Sequence, residues 1–375
     1  MSTAPLDTAR KPPRLWHVDG ARTLKSLRSG TLITAFSVGI GLLVILFGKP
    51  YQVRLAVAAY VNRIMVIGLQ IFMGNSNVAN LAHPGFMGIG AHITAIPAAP
   101  AMIKQTLIPN APLGIDEVQL GVVAAFIVAI GITVFIALLS GVVLVWFSGI
   151  AATILTLTIL VIIHGIFVHW VDLFRCTQAF YGIPKLAGIE AMLVATAVCI
   201  VIARLFKDFR IGVQLRASAT NLLAAKAMGV NVRALRLIAW VLGGALCSVA
   251  GSLYAYYVGT VNAQAFFFHA PFLTLAMHIL GGMRSVTGAA VGVALISTTM
   301  ELIRHLKSGP VILGVKMPKL LGLAGLMLGV IIVLVMCSRS DGLMGGMELD
   351  ELLGRVWKRC EKKRLGGLGP NRRRS

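Results

Sequence analysis

The sequence predicts an all-α fold, that of a polytopic helical membrane protein with about ten transmembrane helices, some of them broken or re-entrant at glycine-rich segments. Of its 375 residues, 57% are hydrophobic and only 13% are charged, far from the roughly half-apolar, quarter-charged mix of soluble domains. Apolar runs long enough to cross a hydrocarbon core of about 30 Å recur along the chain. Strand-type alternation of polar and apolar residues is absent, which disfavours a β-barrel.

The order of these runs divides the chain into three parts. A cytoplasmic N-terminal tail covers residues 1–30, a transmembrane domain covers 31–337 and contains a cytoplasmic loop at 207–236, and a basic cytoplasmic tail covers 338–375. The predicted spans are 32–46, 55–73, 85–102, 118–139, 141–168, 191–206, 237–258, 271–280, 286–302 and 320–336.

The net charge of +21 has two interpretations. It could indicate nucleic acid, but a membrane protein concentrates Lys and Arg in its cytoplasmic segments. Here they gather in both tails and in the 207–236 loop, which predicts N-in and C-in orientation, contact with membrane lipid and no nucleic-acid partner. The basic residues between 304 and 319 depart from this pattern.

Several kinds of chemistry are disfavoured. The five cysteines lack paired spacing, so neither a metal site nor a disulfide framework is expected. No GxxxxGK[ST] loop is present, so we expect no ATP hydrolysis by this chain. The acidic residues fall in tails, loops or span ends, which argues against an ion-coupled carrier, and no His, Asp or Glu cluster predicts a catalytic residue. The isolated histidines are interpreted as structural: His164, His169, His269 and His278.

The stretch "GNSNVANLAHPGFMGIGAH", which begins at Gly74, places polar residues and a proline in an apolar region. Irregular polar backbone at membrane depth is tolerated where it lines a cavity. We therefore expect a break in the helix that lines a path for a solute through the membrane. The residues predicted to line this path at the break are Asn75, Ser76, Asn77, Asn80, His83 and Pro84. The small residues that follow it favour close helix packing, and the predicted packing glycines are Gly85, Gly88 and Gly90.

A second glycine-rich break is predicted in "GGMRSVTGAAVGVAL", which begins at Gly281. Its packing glycines are Gly281, Gly282 and Gly288, and its hydroxyls, Ser285 and Thr287, are predicted to face the same path.

The loop at 207–236 contains "LRASATNLLAAKAMGVNV". We expect a short helix through Ala224, Ala225 and Met228 that is closed by Gly229, with Asn231 capping the next helix. Taken alone, this pattern is also typical of an ordinary cytoplasmic helical hairpin.

Together with "LVMCSRSDGLMGG" at the end of the last span, these motifs resemble, in order, the signatures of the permease subunits of branched-chain amino-acid ABC importers. The resemblance implies import of branched-chain or related amino acids across a bacterial inner membrane. It also implies ATP-binding partner ATPase subunits, a second permease subunit and a periplasmic substrate-binding protein, with no cofactor in this chain. The segment at 224–229 would be the helix that docks into the ATPase. The sequence departs from the family pattern at 77–80, 176–181 and 219–222.

Three other functions stay open at this stage. One is an ABC permease for urea or a small organic or aromatic acid. The second is an ATP-independent secondary transporter or channel, and the third is a membrane enzyme. The absence of carboxylates at membrane depth argues against the second, and the absence of a polar cluster argues against the third.

Overall fold

The computed structural model describes residues 20–109, 114, 119–175 and 178–307, with short pieces between 311 and 348. Within that part the fold is almost wholly helical. The helices are α1 (Gly20–Phe47), α2 (Pro50–Ser76), α3 (His83–Ala98), α4 (Ala101–Leu107), α5 (Val122–Leu144), α6 (Ile150–His169), α7 (Val171–Phe174), α8 (Ile189–Asp208), α9 (Arg210–Thr220), α10 (Leu222–Ala227), α11 (Val232–Val258), α12 (His269–Gly281) and α13 (Val286–Lys307). The antiparallel strand pairs are β1 (Phe180–Tyr181) with β2 (Thr260–Val261), and β3 (Val311–Ile312) with β4 (Val315–Lys316).

The predicted fold class is confirmed, but the count of ten spans is not. The described residues contain seven helices long and apolar enough to cross a membrane, or eight if the bent pair α3–α4 is one span. The apolar part of α1, Ile33–Phe47, is shorter than these. The predicted last span, 320–336, lies largely outside the described residues.

Several predicted boundaries differ from the structure; for example, the span predicted at 141–168 is the helix Ile150–His169. The segment 85–102 was expected to form one span, whereas the chain bends by 117° between α3 and α4. Pro97 and Pro100 stand at this bend, and a proline removes a backbone donor and obstructs a continuing helix. In addition, α1 begins at Gly20, inside the segment predicted as a tail.

The centre of the molecule is formed by α2, α3 and α11. Helix α11 packs against α2, α3 and α5, and small residues allow the close approach. A Cβ on Gly68 would lie 2.9 Å from the Gly243 carbonyl oxygen, and one on Gly243 would lie 2.7 Å from the Gly68 oxygen. These contacts bring α2 and α11 together backbone to backbone, the usual small-residue membrane interface.

An aromatic group fills the space beside these helices. Trp240 on α11 is fully buried and meets the rings of Phe72 and Phe86 edge-on, with centroids 5.1 and 5.3 Å apart. Its indole Nε1 donates to the Ser140 hydroxyl at 3.2 Å. By contrast, α5 and α6 at the periphery expose most of their apolar side chains. Such faces suit contact with lipid or another membrane helix.

Candidate functional site

The first break lies between α2 and α3 at residues 77–82, and is shorter than predicted: Asn75 and Ser76 end α2, and His83 and Pro84 begin α3. Asn77 closes α2 in the left-handed conformation, with φ 55°. The Asn80 side-chain oxygen accepts a hydrogen bond from the Ala82 N–H at 2.9 Å, and the Leu81 N–H donates to the Thr156 hydroxyl at 3.2 Å. Side chains thus satisfy part of the backbone where the helix is interrupted, as an apolar environment requires.

His83 begins α3 and connects the break to α12. Its Nδ1 lies 3.1 Å from the Asn80 carbonyl oxygen, and its Nε2 lies 2.7 Å from the Thr274 hydroxyl. That hydroxyl donates to the Ala270 carbonyl at 2.9 Å. Pro84 stands in the first turn of α3, where its missing N–H costs no helical hydrogen bond. His83 is therefore a buried bridge between two helices in this conformation.

Other buried polar groups lie near this break. Within the described part of the chain, the Ser76 hydroxyl, the Gln70 amide and both His278 ring nitrogens have no hydrogen-bond partner. Our expectation of a satisfied structural histidine is therefore wrong for His278, whereas His169 does contact the Gly165 carbonyl oxygen, at 2.9 Å. Buried polar groups without partners are costly, so this region is a candidate lining of the solute path.

The glycines that follow the first break do pack closely. A Cβ on Gly85 would lie 3.0 Å from Ile163, one on Gly88 would lie 3.0 Å from Phe167, and one on Gly90 would lie 2.5 Å from the Ser248 carbonyl oxygen. Gly90 therefore meets the backbone of α11, while Gly85 and Gly88 meet side chains of α6.

The second predicted break separates α12 from α13. Gly282 has φ 118° and ψ 110°, a conformation open in practice to glycine. A Cβ on Gly288 would lie 2.7 Å from the Gly281 carbonyl oxygen, so these two glycines face each other across the turn. The Ser285 hydroxyl accepts from the Gly288 N–H at 3.0 Å and caps α13.

Glu348, from the predicted C-terminal tail, fills this second break. Its carboxylate accepts from the Val286 N–H at 3.1 Å, the Thr287 N–H at 3.2 Å and the Thr287 hydroxyl at 2.6 Å. Arg204 pairs with it at 2.9 Å, and Lys207 also forms an ion pair with it. The Thr287 hydroxyl, predicted to face the solute path, is thus bound to the tail in this conformation.

The electrostatics of this cluster favour the ionised carboxylate. Burial alone would raise the pKa of Glu348, but the charges of Lys207 and Arg204, with hydrogen bonds from Lys207 and Thr287, lower it below the usual value. The backbone adds to the contact, because the Leu343 N–H donates to the Leu280 carbonyl at 2.9 Å and the Met344 N–H to the Gly281 carbonyl at 3.1 Å. Leu343, Met344 and Glu348 are therefore anchored on the α12–α13 turn.

The second break contacts the end of α2, next to the first break. A Cβ on Gly74, near the end of α2, would collide with the Met283 carbonyl oxygen in the second break. One residue further, the Asn75 side-chain oxygen accepts from Arg216 Nη1 at 2.9 Å. Because Arg216 belongs to α9, the end of α2 contacts both the second break and the loop between α8 and α11.

That loop forms the predicted short helix. Asn221 caps α10 by accepting from the Ala224 N–H at 3.0 Å, and Asn231 caps α11 by accepting from the Ala234 N–H at 3.2 Å. Gly229 turns the chain with φ 76°. Ala225 is buried, whereas the side chains of Leu223 and Met228 are 80% and 84% exposed. The segment 221–231 thus presents two large apolar side chains on its surface.

Comparison with known proteins gives the family. Residues 51–336 match the family described as branched-chain amino acid transport system / permease component, which is well over half of the chain. The chain belongs to this permease family. It is a multi-pass membrane protein of a transport family, as the helices long enough to span a membrane indicate.

Two curated relatives are similar to parts of this permease. The probable branched-chain amino acid transport permease protein LivH of Methanocaldococcus jannaschii is 35% identical over 96 residues, covering 26% of this chain and 30% of the relative. The high-affinity branched-chain amino acid transport system permease protein LivM of Escherichia coli is 29% identical over 122 residues, covering 32% of this chain and 25% of the relative. The aligned region thus spans less than a third of either relative. No solved structure matches this permease.

Two features of the site were not predicted from the sequence. Arg216 and Glu348 connect segments far apart in the chain; Arg216 lies in a family-like motif, whereas Glu348 lies just after one. Among the described residues, no group of three or more His, Cys, Asp or Glu side chains could hold a metal ion.

Proposed function

We propose that this chain is a permease subunit of an ATP-driven importer that moves branched-chain or related amino acids across the bacterial inner membrane. Separate ATPase subunits would bind the ATP, a second permease subunit would complete the pathway, and a periplasmic binding protein would deliver the solute. The chain would have its N- and C-terminal segments on the cytoplasmic side, with α9 and α10 facing the ATPase.

The observation that carries this proposal is the surface of α10 in a member of this permease family. Leu223 on α10 and Met228, directly after it, are exposed on a short helix that is held by an Asn cap and a left-handed glycine turn. Apolar side chains that are exposed together on a polar surface are typical of a protein-binding site. A rigid helix with two such anchors can transmit the movement of a bound subunit.

The contacts supply a route for that movement. Helix α10 follows α9 directly, and α9 holds Asn75 through Arg216. Asn75 lies in the last turn of α2, immediately before the first break. A displacement of α10 would therefore reach the end of α2 through the packing of α9 on α2 and through this charged hydrogen bond. The second break, packed against Gly74, would move with it.

Replacing Arg216 by glutamine should uncouple ATP use from uptake. A hydrogen bond from a charged group contributes about 1.5–3 kcal/mol, so we expect ATP-driven uptake to fall by roughly tenfold or more while the ATPase subunit still co-purifies. Asn75→Leu removes the same bond from the other side and should give the same result. Arg54→Gln, an exposed arginine on α2 far from the 207–236 loop, is the matched control. Uptake in R216Q equal to that in R54Q would contradict this route.

Reconstitution tests the function as a whole. The permease is incorporated into liposomes with candidate ATPase, second permease and binding-protein partners, and uptake of labelled leucine is compared with uptake of urea and of an aromatic acid. We expect leucine uptake that requires ATP and every partner. ATP-driven uptake of another solute would change the substrate, and uptake by this chain alone without ATP would overturn the proposal.

A further inference from the structure

A groove runs along α2 between α1 and α13, away from both helix breaks. Its volume is about 740 Å³, which is enough for a small organic solute. Aliphatic and aromatic side chains form most of its wall, among them Leu43, Phe47 and Leu55. Two hydroxyl groups, those of Ser297 and Thr298, line it from α13.

Arg63 lies in the wall of this groove, halfway along the 27-residue helix α2. It is 8% exposed, and its guanidinium carbon lies 5.0 Å from the centre of the Tyr60 ring. The Tyr60 hydroxyl donates to the Ser37 carbonyl at 2.7 Å and is also hydrogen-bonded to Arg63. Among the described residues, Arg63 Nε and Nη1 have no hydrogen-bond partner. No carboxylate in the described part of the chain forms an ion pair with Arg63, and a buried cation without a counter-charge in the wall of a groove favours binding of an anion there.

Glu301, the other charged residue that lines the groove, has partners other than Arg63. It forms an ion pair with Arg304 at 3.4 Å and accepts a hydrogen bond from Tyr51. Tyr51 is in the first turn of α2 and Arg304 in the last turn of α13. This pair therefore stands at one end of the groove, and its negative charge is partly neutralised there.

We propose that Arg63 binds the carboxylate of a small solute whose apolar body lies in the groove between α1, α2 and α13. The proposal rests on the proposed transport function and adds to it a second point of contact for the solute. A lipid phosphate fits less well, because Arg63 is about 20 Å from either end of α2 at 1.5 Å per residue, whereas headgroups lie at the membrane surface. A carboxylate is the group that a guanidinium pairs with best in such a setting.

Direct binding tests the proposal without ATP or partners. The full-length permease is placed in nanodiscs of phosphatidylcholine, and binding of tritiated L-leucine is measured in competition with 4-methylpentanoate, which has the carboxylate but no amine, and leucinamide, which has the amine but no free carboxylate. We expect 4-methylpentanoate to compete and leucinamide not to compete. Arg63→Gln should weaken binding more than tenfold, Arg63→Lys should retain part of it, and Arg54→Gln, exposed on the same helix, should bind as the wild type does.

Several results would contradict the binding role of Arg63 or change its ligand. Leucine binding in R63Q equal to that in R54Q, competition by leucinamide as strong as that by 4-methylpentanoate, or no leucine binding up to its solubility limit would overturn the proposal. Displacement of leucine by phosphatidylglycerol in the nanodisc, dependent on Arg63, would assign the groove to a lipid instead. Equal ATP-driven uptake by R63Q and R54Q would remove the Arg63 site and keep the importer function. Carboxylate-selective binding without ATP-driven uptake would keep the Arg63 site and contradict the importer function.

Discussion

Replacing Leu223 and Met228 together by glutamate is expected to abolish ATPase binding and ATP-driven uptake while the permease stays folded. Both side chains are more than three-quarters exposed, so their removal takes nothing from the core. Central apolar anchors of an interface are worth about 2 kcal/mol each. Losing two of them should weaken association roughly thousandfold. The measurement is co-purification of the ATPase subunit with the permease from membranes, followed by uptake in liposomes.

A control and a second variant make this test specific. Leu186→Glu introduces the same change at an exposed leucine between β1 and α8, and we expect full ATPase binding in that variant. Ala225→Glu, which the sequence pattern alone would suggest, is less informative because Ala225 is buried. Gly229→Val strains a left-handed residue by about 1–2 kcal/mol and should displace α10 without altering its surface. Undiminished ATPase binding and uptake in the double variant would contradict the docking role of α10.

The features that the sequence predicted well are those with local causes. The first break follows from Asn77, Asn80 and Pro84, which disfavour a continuous helix wherever they stand. The ends of α10 follow from the capping residue Asn221 and from Gly229. Hydropathy placed most spans within a few residues, because each apolar run must bury its backbone as a helix.

Most of the features that the sequence did not predict depend on contacts between residues far apart in the chain. The bend between α3 and α4 has a local signal in Pro97 and Pro100, but hydropathy averages over it. Arg63 is visible in the sequence as a charge within a span, whereas the groove that it lines forms only when α1 and α13 are placed beside α2. Glu348 looks like one acid among the charges of a tail. Its partners, Arg204, Lys207 and Thr287, are far away in the chain, and no periodicity connects them.

Replacing Glu348 by glutamine should release Leu343 and Met344 from the second break. Glutamine has nearly the same shape but cannot balance Arg204 and Lys207, which are both buried. Breaking a buried ion pair by removing one partner costs about 3–5 kcal/mol. The Leu343 and Met344 N–H groups, held by the carbonyls of α12, should therefore exchange hydrogen for deuterium roughly a hundredfold faster or more, as their local opening becomes easier. Glu190→Gln, an exposed acid on α8, is the matched control.

The pH dependence gives a second measurement of the same contact. Because the folded-state pKa of Glu348 is lowered from 4.5, its contribution to stability is fully present above about pH 4.5 and is lost as the pH falls through the folded-state value. Exchange at Leu343 and Met344, corrected for its intrinsic pH dependence, should thus be constant near neutrality and rise in acid for the wild type. In E348Q it should be fast at every pH. Slow exchange in E348Q at neutral pH would show that the backbone bonds to Leu280 and Gly281 hold these two residues without the carboxylate. If exchange is fast and ATP-driven uptake also changes, transport depends on the contact of Glu348 with the start of α13 and the end of α8.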